Sequence, residues 1–116
     1  MSPPRTNPAD LLAHEFAQEK ASALGRLGRA LEAALSALAE FDAGHGASPA
    51  ERRASRAALV DDASVALWQL VVQREACGLR DMGFVLRDYR VPAEVAAGMG
   101  AWPQPQARPR AARRKP

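Results

Sequence analysis

Ser48-Pro49-Ala50-Glu51 reads as a helix start. A serine hydroxyl can accept from the free N–H three residues on, and the glutamate can reach back to the serine N–H. Proline at the first helical position gives up a donor that would have lacked a partner. On either side of this start lies a long segment of helical periodicity. The chain therefore divides into helix, short turn, helix. Two helices joined by a short turn pack antiparallel.

The first helix is predicted over 8–41. Asn7 is a good N-cap, Pro8 fills the first position, and Asp10 lies in the first turn, where the dipole favours acids. At about 100° per residue, Phe16, Leu24, Leu27, Leu31, Leu35, Leu38 and Phe41 share one face. Ala17, Ala21, Gly25 and Gly28 form a small-residue strip beside it. Each mid-helix glycine costs about 1 kcal/mol against alanine, so a close approach at Gly25 and Gly28 is expected. Such a helix is about 50 Å long, more than a compact domain of this size spans.

The second helix is predicted over 49–77, ended by Gly78. Leu59, Val60, Ala63, Leu67, Leu70 and Val71 make one apolar stripe, to be covered by the first helix. Val65, Trp68 and Val72 make a second, with Asp61 on the same face, and it needs another cover. That cover is expected from residues 79–99, from a second copy of the chain, or from both. Leu79, Met82, Val85 or Leu86, and Tyr89 suggest a short helix over 80–89. Val91-Pro92-Ala93-Glu94 opens another over 92–98, ended by Gly98 and Gly100. Setting Phe41 level with Pro49 brings Phe16 against Arg74.

The composition agrees with an all-α chain. Of 116 residues 26 are alanine, none is isoleucine, and 29 are larger apolar residues. Alanine and leucine favour helix, and the small apolar set gives a monomer a thin core. The expectation is one helical domain over 8–100, with a leader at 1–7, forming a dimeric helical bundle. Residues 101–116 are predicted to be a disordered, proline-rich basic tail. Five of the 16 basic residues lie there, Arg108, Arg110, Arg113, Arg114 and Lys115, with no acid. The other eleven face 13 acids, so the domain is slightly acidic, at −2.

Ala66-Leu67-Trp68-Gln69-Leu70-Val71-Val72-Gln73-Arg74-Glu75-Ala76-Cys77-Gly78-Leu79-Arg80-Asp81, then Arg87-Asp88-Tyr89-Arg90-Val91-Pro92-Ala93-Glu94-Val95, resembles a family of small uncharacterised bacterial helical proteins. Lys20-Ala21 and Ala23-Leu24-Gly25-Arg26-Leu27-Gly28 fit it too. The family carries no assigned activity, so the resemblance implies no chemistry.

No motif specifies a reaction. His14 and Glu15 lack the second histidine of His-Glu-x-x-His, and no Glu-x-x-His is present. Cys77 sits at a helix C-terminus, where the dipole opposes a thiolate. No catalytic, cofactor or metal residue is expected. A lone cysteine and the absence of a long apolar run point to a cytoplasmic chain that does not insert in a membrane. Arg52, Arg53 and Arg56 cluster at the start of the second helix and read as a solvated face, or as an anion site. The expectation is a non-enzymatic scaffold acting through protein contacts with an unknown partner and with itself. Its candidate interface is Gly25, Gly28, Asp61, Val65, Trp68 and Val72. The alternative is weak, sequence-independent nucleic-acid or polyanion binding by the tail.

Overall fold

The computed structural model describes residues 7–44, 46 and 48–99. They form four helices: α1 (Pro8–Ala43), α2 (Pro49–Ala76), α3 (Met82–Asp88) and α4 (Ala93–Met99). Among the described residues there is no strand. The expected leader and tail lie outside the described residues, apart from Asn7.

The caps form where local chemistry places them. Asn7 Oδ1 accepts from Ala9 N at 2.8 Å. Glu51 N donates to Ser48 Oγ and Ser48 N to Glu51 Oε1, both at 3.2 Å, closing the capping box. Beyond α2, Leu79 N donates to Arg74 O and Gly78 N to Glu75 O, the Schellman pattern. Gly78 takes φ +85°, a region other residues enter at a cost. The helix therefore stops at Ala76, one residue short of expectation, with Cys77 as its cap.

A second Schellman turn ends α3, with Arg90 N bonded to Arg87 O and Val91 N to Leu86 O. Here the left-handed position is filled by Arg90, at φ +53°. The helix is shorter than the expected 80–89 at both ends. Asp81 caps it by accepting from Phe84 N, and Arg90 leaves the helical region. Gly98 does not end α4, as expected, but lies inside it. A Cβ at Gly98 would stand 2.5 Å from Ser64 Oγ, so glycine lets α4 close on α2.

α1 and α2 pack as the expected hairpin, and α4 packs on α2. Their register differs from the one set by Phe41 and Pro49. The Arg52 guanidinium lies 4.3 Å from the Phe41 ring centroid and donates to Phe41 O at 3.0 Å. The rods are thus offset by about one turn, some 5 Å. Arg74 accordingly lies over Phe84, at 5.4 Å, and not against Phe16.

The largest fully buried aliphatic side chains come one from each helix: Leu31, Leu67, Val85 and Val95. Burying each is worth about 1.5–3 kcal/mol. Leu38, Ala63, Ala66, Leu70 and Val71 complete the buried cluster. The radius of gyration is 19.7 Å, against about 13 Å for a compact domain of 100 residues. All of residues 7–22 are exposed, so the first four turns of α1 touch little of the core.

The close approach expected at Gly28 exists, but it is made by a side chain. A Cβ there would collide with the Tyr89 hydroxyl, whose ring carbon lies 3.5 Å away. Gly28→Ala should therefore destabilise by about 1–3 kcal/mol despite the better helix propensity of alanine. Adding Tyr89→Phe, which removes the colliding atom, should recover most of that loss in a double-mutant cycle read by urea denaturation. Arg90→Gly tests the other unusual backbone. Relief of the left-handed strain should outweigh the entropy glycine adds to the unfolded chain, giving a small gain, below about 1 kcal/mol, in the same assay.

Candidate functional site

Arg56 occupies the third turn of α2, on the same stripe as Ala63 and Leu67. Its guanidinium holds two carboxylates. Nε and Nη2 donate to Asp42 at 2.7 and 3.0 Å, and Nη1 and Nη2 donate to Glu94 at 2.8 and 2.7 Å. Asp42 belongs to the last turn of α1, and Glu94 to the first turn of α4. One side chain thus joins three helices through two bidentate pairs, the geometry for which arginine is suited. Lysine, with a point charge, would not reproduce it.

The electrostatics follow from the geometry. The Arg56 hydrogen bonds hold both the Asp42 and the Glu94 carboxyls below their ordinary values. Bonds to Glu94 and then Asp42 raise the Arg56 guanidinium further above its already high value. The side chains remain partly open to water, with Arg56 34% exposed. These are the two ion pairs formed among the described residues.

The cluster forms one wall of a groove of about 870 Å³ between the second half of α1 and the α3–α4 corner. Glu32, Leu35, Asp88, Tyr89 and Arg90 line the rest of it. The Tyr89 phenol is pushed up, first by burial and then by the Glu32 and Asp88 charges. The groove carries both signs of charge. Asp42 and Glu94 are already matched by Arg56, which leaves Glu32, Asp88 and Arg90 as its open ionic groups.

The residues singled out in the sequence do not share one surface. Gly28 is buried beneath Tyr89 and serves the chain's own packing. Gly25 is half-buried, and a Cβ there would meet Arg29 Nη1 of its own helix at 3.3 Å. Val65 and Trp68 are half-buried, while Asp61 and Val72 are exposed along the same side of α2. Asp61 borders a depression lined also by Arg53, Val60 and Glu94. Among the described residues it forms no ion pair. Arg108, Arg110, Arg113, Arg114 and Lys115 lie outside the described residues. Cys77 is half-buried, 3.8 Å from Gln73 Nε2. Among the described residues no three histidine, cysteine or acidic side chains converge to hold a metal, and no helix is long and apolar enough to cross a membrane.

Sequence reasoning missed the Arg56 pairs. Arg52 and Arg56 were read as a solvated face or an anion site, yet both are engaged within the fold. Their signal was positional. Arg52, Arg56 and Arg74 fall on the Leu59–Ala63–Leu67–Leu70 stripe, and an arginine on a buried stripe needs an acceptor.

Residues 4–107 match the model of a family described as a family of unknown function, DUF6665. The chain belongs to this family. No curated protein and no solved structure matches it. The family brings no activity with it, so function must be argued from the surfaces themselves.

The Arg56 pairs predict a pH dependence. A carboxyl whose folded pKa is depressed stabilises the fold above its ordinary value and stops doing so as pH falls through the folded value. The contribution of Asp42 and Glu94 should be full at neutral pH and fade as pH falls through the ordinary carboxyl range, about 4, toward their lower folded values. Arg56→Ala should lower the melting temperature at pH 7 and flatten its fall between pH 5 and 3. Thermal melts of both proteins at stepped pH check this.

Proposed function

We propose that this chain is a non-enzymatic helical interaction protein that acts through protein contacts and forms a homodimer of hairpins with a four-helix core. The observation that supports the reading is the outer side of α2. Val65, Trp68 and Val72 recur there at helical spacing, off the stripe that faces α1, and Val72 is 44% exposed. Tryptophan at the centre of an apolar strip is typical of residues that carry binding energy. Asp61, on the same side, is free to take an arginine of a partner. In this reading the chain is bacterial and cytoplasmic. Its lone cysteine suits a reducing compartment, and its alanine- and arginine-rich usage suits a GC-rich genome.

Light scattering across a concentration series tests the reading. The intact chain should weigh as a dimer at micromolar concentration. Trp68→Asp should shift the midpoint of association at least tenfold upward. A monomer at high micromolar concentration would end it.

The second reading is polyanion binding by the tail, favoured by five basic residues without an acid in residues 101–116. Such binding is independent of sequence and falls steeply with salt. Truncation after Gly100 changes the net charge from +3 to −2, since it removes those five basic residues. A DNA titration at two salt concentrations should show loss of binding on truncation. If the truncated chain binds equally well, the helices carry the site, and exposed Arg53 is the first residue to change.

A further inference from the structure

All 13 acids of the chain lie within residues 7–99, alongside ten bases, whereas residues 100–116 hold five bases and no acid. The helical part is therefore negative and the segment after α4 positive. On the outer side of α2, Ala54, Ala58 and Asp61 stand at i, i+4 and i+7 and share one face, with Asp62 beside it. All four are exposed. The 17 residues from Ala57 to Gln73 contain these two acids and no base. Arg56, just before them, is bound to Asp42 and Glu94, and Arg74, just after, lies over Phe84. Arg53 borders the same depression as Asp61 but stands eight residues earlier, about 12 Å along the helix. Among the described residues it pairs with neither acid.

We propose that residues 101–116 dock on this face of their own α2, with their arginines against Asp61 and Asp62. Charge, position and length select this occupant. The charges are opposite, and the arginine fork matches a carboxylate. The position follows from α4. This helix ends at Met99, and Gly98 closes on Ser64, less than one turn of α2 beyond Asp61 and Asp62. The basic segment thus starts beside the face. Residues 100–107 precede Arg108, the first of its bases. At about 3.3 Å each they span about 26 Å, enough to turn back onto the two acids.

Exposed ion pairs are individually weak and are screened by salt. Covalent attachment offsets this, since a short linker holds its segment at an effective concentration of about a millimolar. The segment of a second copy has no such advantage. The contact does not depend on the self-association put forward above. Val65, Trp68 and Val72 run from Ser64 toward the other end of α2, and the docked segment leaves them open.

A nitroxide at position 112 tests the docking on the full chain. Cys77→Ser with Ala112→Cys leaves one thiol for the label. At about 20 mM salt, the NMR signals of amides 54–62 should lose at least half of their intensity relative to the reduced label. Amides 8–16, at the far end of α1, should not. Intensity should return at about 500 mM salt, and in Asp61→Asn with Asp62→Asn. Both acids are exposed, so that variant should fold with unchanged circular dichroism. A nitrogen-15 chain without nitroxide, mixed with unenriched nitroxide chain, should keep its full intensity. Amides 54–62 that stay sharp at low salt overturn the proposal, as does broadening that survives the asparagine pair. Broadening in the mixed sample gives the face to the segment of a second copy and overturns docking within one chain. Light scattering on the same samples keeps the two ideas apart. A monomer with broadened amides retains this contact and ends self-association, and a dimer with sharp amides does the reverse.

Discussion

Four hydrogen bonds from one guanidinium fix the closed end of this molecule. Arg56 spends all but one of its N–H donors on Asp42 and Glu94. Ion pairs open to water are individually weak, and worth more when several charges form a network of good geometry. What matters here is where the acceptors lie. Asp42 is at the end of α1 and Glu94 at the start of α4, so the pairs set the height of α2 against α1 and anchor α4. A helix of seven residues does not persist on its own. α4 is held at its start by Arg56 and further along by Ser64, whose fully buried hydroxyl donates to Val95 O at 3.0 Å. Glu94 adds a favourable charge in the first turn.

Behind these polar ties the core is small, and small residues make it possible. Four of its nine members are alanines or come from the short helices: Ala63 and Ala66 on α2, Val85 on α3 and Val95 on α4. The packing relies on two absent methyl groups. Gly28 gives room to the Tyr89 hydroxyl, and Gly98 to Ser64. Each glycine costs about 1 kcal/mol of helix propensity, a loss offset by contacts that alanine would prevent. Tyr89 and Ser64 in turn bring α3 and α4 onto a hairpin whose own stripe is too narrow for a stable monomeric core.

Features set by residues within one turn of each other were legible in the sequence. Asn7, Ser48 with Glu51, and Gly78 act on backbone groups two to five residues away, and the three ends they define fall within one residue of expectation. Features set by distant partners were not. Arg56 meets residues 14 and 38 positions away. Of the glycine strip only Gly28 meets a close approach, and it comes from the Tyr89 side chain; Gly25 meets only Arg29 of its own helix. Gly98 carries the composition of a helix end and acts as a packing site. Arg90 fills a position that a glycine would have announced. The hairpin register depended on where Phe41 settled, and the Arg52 stack moved it by about a turn.

The two ends of the hairpin are therefore unlike. The closed end is tied by arginine to carboxylate and carbonyl oxygens, and the open end presents leucine, methionine and phenylalanine. Residues 7–22 receive little packing, and most helical stability in proteins comes from packing. Their order must propagate from the packed half of α1, with the alanines and the cap at Asn7 contributing locally. A good cap adds about 1 kcal/mol to a helix end. Here it acts almost six turns, at about 3.6 residues each, from Gly28, the nearest buried residue of α1. Local opening at such an end costs little free energy, so this segment is the first part of the fold to fray. Contacts that covered Leu12 and Phe16 would remove that weakness and extend the core along α1.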